Sequence, residues 1–221
     1  MDLALNPVEV RVLASLVEKS RSTPEYYPMT LNALTAACNQ KSNRDPVMQV
    51  SNQDTVRALD SLRDRKLAWS VSIAGSRAPK YRHSVEDVYP LTVPQLAILC
   101  ELMLRGPQTV GELRTRAERL CPLADAAEVQ SILQQLLAWS GDPLAAVAPR
   151  RSGQREERYA HLLGGPLSGE AETTCSLPEP ARLSVMAENE RIAALESKMA
   201  GMEDEVARLK ADFADFKRQF Q

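Results

Sequence analysis

The chain has 221 residues, 44% hydrophobic and 25% charged, with 27 Lys and Arg against 29 Asp and Glu for a net charge of −2. That apolar fraction supports packed cores and excludes wholesale disorder. The near-neutral balance excludes a uniformly basic nucleic-acid coat but leaves room for a local cationic patch. No run reaches the ~18–20 apolar residues of a membrane helix, and the first ten residues lack the form of a secretory signal. Cys38, Cys100, Cys121 and Cys175 show no paired spacing, so the expectation is a cytoplasmic protein with no membrane partner.

The first helix signal is Asn6-Pro7, a cap followed by proline at the first helical position. Val8, Val12, Leu13 and Leu16 recur at helical spacing until the pattern fades at Ser20. Pro24 and Pro28, flanking Tyr26-Tyr27, predict a rigid connection. A short helix is expected from Thr30 to about Cys38, with Leu31, Leu34 and Ala37 on its apolar face. The turn-forming stretch Asn39 to Pro46 follows, then a helix from near Asn52 burying Val56, Leu59 and Leu62. Leu67 to Ile73 alternates as a strand does, and Lys80 to Ser84 returns as its partner. Three helices followed by a two-stranded hairpin is the order of a winged helix.

The chain then repeats that order. Thr92 caps a helix carrying Leu96, Leu99, Leu102 and Met103, and Gly106-Pro107 ends it. Thr109 to Leu113 matches Thr30 to Leu34, and Val129, Ile132 and Leu136 repeat the third-helix pattern over 126–140. The segment from Gly75 to His83 aligns without gaps on Gly153 to His161, a constant offset of 78 that brings both histidines of the chain into register. This is the mark of a tandem duplication. Residues 165–182 read as a flexible linker. Ile192, Leu195, Met199, Met202, Val206, Leu209, Phe213, Phe216 and Phe220 then step by three and four, a heptad seam over 183–221. In a parallel pair its flanking positions match Arg191 with Glu196, Lys198 with Glu203, Glu205 with Lys210 and Asp212 with Lys217. Self-association through this helix is expected, the alternative being a helix folded back on its own body.

The fold class is therefore mainly α with small β wings (α+β). It comprises a first winged-helix domain at 1–86, a second at 87–164, the linker and a C-terminal coiled-coil helix. Glu18-Lys19, Thr23 to Pro28, and above all the string Ala37 to Met48 resemble the bacterial YceH family. Leu104 to Arg114 and the Arg158-Tyr159 hairpin fit it as well. The similarity spans roughly residues 3–165, with the tail alike only in type. The resemblance implies a tandem winged-helix fold in an uncharacterised family and supplies no catalytic residue or ligand.

Enzyme constellations are scarce. Cys38 and Cys100 lie in apolar helical patterns, where cysteine is usually a small buried hydrophobe rather than a nucleophile. No paired ligands suit zinc, and no glycine-rich phosphate loop occurs, so no enzyme activity, metal or cofactor is expected. His83 and His161 read chiefly as hairpin packing.

Residues 39–83 hold nine basic and four acidic groups. Asn52, Gln53 and Arg57 open the third helix, the element that enters a DNA groove in winged helices. Arg77, Lys80 and Arg82 on the hairpin suit phosphate. Asn39, Gln40, Lys41, Asn43 and Arg44 form a second candidate surface, or else satisfy their own loop. Asp54 and Asp60 on the same helix oppose phosphate, and the equivalent helix of the second half has no Lys or Arg. Two function classes fit: a DNA-associated regulator acting through the first domain, and a protein-interaction adaptor using the second.

Overall fold

A computed structural model describes residues 4–72, 78–150, 154 and 156–167. Every described residue belongs to one compact unit, residues 1–169. The fold is mixed, with seven α-helices and two small antiparallel sheets among the described residues.

Asn6 caps α1 (Pro7–Ser22): its side-chain oxygen accepts from the backbone N–H groups of Val8 and Glu9, while Glu9 accepts from the N–H of Asn6. A 3₁₀ turn at Pro24–Tyr26 leads to β1 (Met29–Thr30), and Thr30 caps α2 (Leu31–Cys38). Ser51 caps α3 (Asn52–Asp64), which runs into β2 (Ala68–Val71) and β3 (Lys80–His83). β1 adds to the hairpin in the order β1-β3-β2. The short α4 (Val85–Val88) connects to the second half, where Thr92 caps α5 (Val93–Arg105). Gly106 ends that helix at φ +69°, a conformation glycine adopts without strain. Then come α6 (Val110–Ala117), α7 (Ala126–Leu137), β4 (Ala145–Val147) and β5 (Tyr159–His161).

The offset of 78 has a common geometry. Tyr81 faces Ser70 on one side and Met29 on the other, and Tyr159 faces Val147 and Gln108. Met29 and Gln108 each immediately precede the threonine that caps the following helix. His83 lies opposite Ala68 and His161 opposite Ala145.

Three features differ from the sequence reading. Strand β1, two residues long, carries no periodic signal. Val56 lies on the solvent side of α3, 38% exposed, because Thr55 takes the buried position. The Thr55 hydroxyl satisfies itself there, donating to the Ser51 carbonyl at 2.9 Å and pairing with Thr35 at 3.0 Å. Finally, α1 is not a one-sided helix: every residue from Glu9 to Glu18 is buried, as is every residue from Gln95 to Leu104 of α5. These two helices pack on each other, and the apolar side chains of both halves join in one core.

Candidate nucleic-acid interface

The stretch from Asn39 to Pro46 turns inward. The Asn39 amide donates to the Val50 carbonyl at 2.8 Å and accepts from the Val50 N–H at 2.6 Å, closing the loop. Asn43 adopts φ 58°, a left-handed conformation asparagine tolerates better than most residues. Arg44 is then directed into the interior, where its guanidinium meets both Glu18 oxygens at 2.5 and 3.2 Å, the Ala37 carbonyl at 2.8 Å and the Gln40 side chain at 3.0 Å. Arg119 reaches the same Glu18 at 2.5 Å and Glu101 at 2.7 Å. Arg105 lies 3.4 Å from Glu101 and donates to the Asn43 side chain. Asn39, Gln40, Asn43 and Arg44 are thus engaged internally, and of the five loop candidates Lys41 alone is exposed.

Burial pushes the Glu18 carboxyl up, but the adjacent Arg44 and Arg119 outweigh it and hold Glu18 below the usual carboxylate range. For Glu101 burial wins over Arg119 and Arg105, and its carboxyl is raised. Sequence reasoning missed this network because its partners are far apart in the chain and neither end carries a local signature. Cys38 and Cys100 are buried free thiols raised by burial, Cys100 donating to the Ala14 carbonyl at 3.4 Å. No cluster of His, Cys, Asp and Glu suited to a metal occurs among the described residues.

The remaining first-half candidates face outward. Asn52, Gln53 and Arg57 are exposed on the first two turns of α3, Asn52 donating to Asn32 at 3.1 Å. Arg57 lies 3.8 Å from Asp54, and Arg63 3.1 Å from Asp60. Hydrogen bonds from the Ser51 side chain and backbone keep Asp54 below its usual pKa and so ionised. Such exposed pairs are worth only about 0–1 kcal/mol, so a phosphate can displace them. Arg82 is exposed and Lys80 half-buried on β3; Arg77 and the seam from Ile192 to Phe220 lie outside the described residues. Excluding buried Arg44, the described first-half surface from 39 to 83 carries Lys41, Arg57, Arg63, Arg65, Lys66, Lys80 and Arg82 against Asp45, Asp54, Asp60 and Asp64.

The second half has the opposite character. The exposed residues of α7 are Ala126, Ala127, Ser131, Gln134 and Gln135. Arg158, which the offset of 78 sets in register with Lys80, is held by Glu112 at 2.9 Å and by the Pro107 carbonyl at 2.9 Å.

Both histidines pack their hairpins. His83 meets Ser20 at 3.0 Å and Glu86 at 3.2 Å, and its ring lies 6.0 Å from that of Tyr27. Burial lowers His83 and pushes His161 down to about 4, and the Nδ1 of His161 has no hydrogen-bond partner among the described residues. An imidazole near 6.5 in the unfolded chain and about 4 in the folded one lets the unfolded state bind the extra proton between those values. Its contribution is fully present above pH ~6.5 and is lost toward pH ~4, by up to about 3 kcal/mol. Urea midpoints should therefore fall between neutral pH and about pH 5, and fall less in His161→Gln. Equal pH slopes in the two proteins would contradict this.

A family profile described as "Protein of unknown function, DUF480" matches residues 5–154. The chain belongs to this family. It is 54% identical over 222 residues to a UPF0502 protein of Geotalea uraniireducens, covering 100% of both chains. A UPF0502 protein of Geobacter sulfurreducens is 52% identical over 221 residues, again covering 100% of both. One from Vibrio atlanticus is 43% identical over 215 residues, 96% of this chain and 97% of its own. The Geotalea and Geobacter alignments extend through the tail, beyond the span of the YceH resemblance. No helix among the described residues is long and apolar enough to cross a membrane.

Proposed function

We propose that the chain is a cytoplasmic, non-enzymatic regulator built on two winged helices, a YceH-type member of DUF480, whose first copy binds nucleic acid. The carrying observation is the asymmetry of the two copies. The first presents α3 and the hairpin with a surplus of unburied cations, whereas the second presents an α7 with no Lys or Arg and with Glu128 in its first turn, and spends Arg158 internally. Pairing of β1 with β3 supports the winged-helix reading, since it gives the order helix, strand, helix, helix, hairpin. Arg57→Ala should cost roughly 1–3 kcal/mol of specific duplex binding where that side chain meets a base edge. Lys80→Ala should weaken all sequences alike and flatten the salt dependence. Fluorescence anisotropy with duplex DNA at low salt tests both; absence of any binding at about 50 mM salt would end the reading.

The second reading, an adaptor, draws on α7. A third helix exposing only Ala, Ser and Gln suits a protein contact better than phosphate. Recovery of a nuclease-resistant protein partner by the full chain, with none by a chain carrying Ser131→Arg and Gln135→Glu, would favour it.

Self-association rests on the heptad seam from Ile192 to Phe220. Burying each Leu, Ile, Met or Phe is worth roughly 1.5–3 kcal/mol, against a few tenths for each flanking charge pair. Light scattering should weigh the full chain as a dimer or higher and a chain ending at Leu167 as a monomer. That end point keeps the hydrogen bond from Leu5 to Leu163. Two monomers across the micromolar range would exclude a dimer.

A further inference from the structure

The outer face of the first sheet carries a constellation that neither packing nor the α3 contact uses. Register places Trp69 opposite Arg82 and Val71 opposite Lys80, so these four side chains share one face. Ala68, Met29 and Tyr81 lie on the other face, against the core. Trp69 is 38% exposed, and its indole N–H has no acceptor among the described residues. Neither Lys80 nor Arg82 has a carboxylate within ion-pair distance among them, and β1, β2 and β3 contain no Asp or Glu. The fold does not require this pair: in the second hairpin the corresponding cross-strand pair is Ala146 and Ala160.

We propose that this face binds an unpaired nucleobase, with the Trp69 ring as stacking platform and Arg82 and Lys80 gripping the flanking phosphates. This rests on the nucleic-acid reading above and narrows it. An all-cationic sheet face is complementary to a polyanion, and a flat, exposed indole adds an affinity that only a π-surface can return. Within a duplex the base faces are hidden by their neighbours, so Trp69 selects a nucleotide outside the stack. While α3 addresses a groove, the sheet would recognise a single-stranded stretch beside it, as at a gap, bubble or end.

The test uses the full chain and its own tryptophans. A thymidine oligomer of about a dozen nucleotides should quench the fluorescence of the wild type, and the quench should vanish in Trp69→Phe, where Trp139 is the remaining reporter. By anisotropy of the labelled oligomer, Trp69→Ala should weaken binding about five- to 150-fold. Trp69→Phe, which keeps an aromatic ring and the sheet, should lose less. Arg82→Ala should reduce the salt slope by about one ion. A matched duplex should bind with little quench. Equal quenching by polyglutamate would identify an acidic protein surface as the ligand and overturn the proposal; so would equal quenching by duplex. If duplex binds and responds to Arg57→Ala while the thymidine oligomer leaves Trp69 unchanged, the base site is refuted and the duplex reading stands. If neither nucleic acid binds, both fail.

Discussion

Replacing Glu18 by alanine should destabilise the fold by about 3–5 kcal/mol, the range for removing one partner of a buried ion pair. The Glu18 side chain is 1% exposed and that of Arg44 fully buried, so the orphaned guanidinium cannot recover its hydration. Arg119 would lose its contact at 2.5 Å while keeping Glu101 at 2.7 Å, and being 29% exposed it can turn to water. Most of the penalty therefore falls on Arg44, which would retain neutral partners: the Ala37 and Asn43 carbonyls and the Gln40 amide. Urea unfolding gives the measurement, with Arg57→Ala on the exposed face of α3 as a control expected within about 0.5 kcal/mol of the parent. A loss below about 1 kcal/mol for Glu18→Ala would mean that Arg44 escapes to solvent. Replacing Glu18 and Arg44 together by methionine should recover much of the loss, because apolar packing often matches a buried pair. The pH sense follows from the lowered Glu18 pKa: its contribution is present above the unfolded value and is lost as pH falls through the folded one.

The parts of this fold legible in the sequence are those whose cause is local. Asn6-Pro7 marks the start of α1 because a cap and a proline each answer the unsatisfied N–H groups of a helix N-terminus. Gly106-Pro107 marks the end of α5 because glycine accepts the positive φ and proline cannot continue. The paired tyrosines and histidines of the hairpins were legible because the same residues recur at one offset and take like positions in the two hairpins.

The Asn39–Pro46 loop was legible only as polar. Its residues read equally as a binding surface or a turn, and what decides between them is Glu18, 26 positions away from Arg44. Nor does the pattern of α1 reveal that Glu9, Arg11 and Glu18 are buried. The two terminal nitrogens of Arg11 donate to carbonyls of Cys38 and Pro46, which only the folded chain brings near. Trp69 was visible as one member of an alternating strand; its exposure depends on which sheet face the core occupies, and short strands leave that undetermined.

Leu99→Ala should lower stability by about 2–5 kcal/mol, as large-to-small changes in a closed core do, and should move the unfolding of both halves together. Leu99 is fully buried on α5, the helix that packs on α1. Further links run between the halves: Cys100 to the Ala14 carbonyl, the Asp45 N–H to the Leu104 carbonyl at 2.9 Å, and the pairs made by Arg119 and Arg105. Opening the second half would uncover the sides that α1 and α5 turn to each other and leave Glu18 with one guanidinium fewer. Each half would keep its packing of α1 on α2 and α3, or of α5 on α6 and α7, but would lose the shared side of α1 and α5. The chain reports this by itself, since Trp69 lies in the first half and Trp139 in the second. With Trp139→Phe or Trp69→Phe as the background, the remaining indole should give coincident transitions, the test of a two-state unit. Adding Leu99→Ala should shift both by the same amount. A shift confined to Trp139, with the Trp69 transition unmoved, would mean that the helices touch without sharing stability and that the boundary near residue 87 separates two independent folding units.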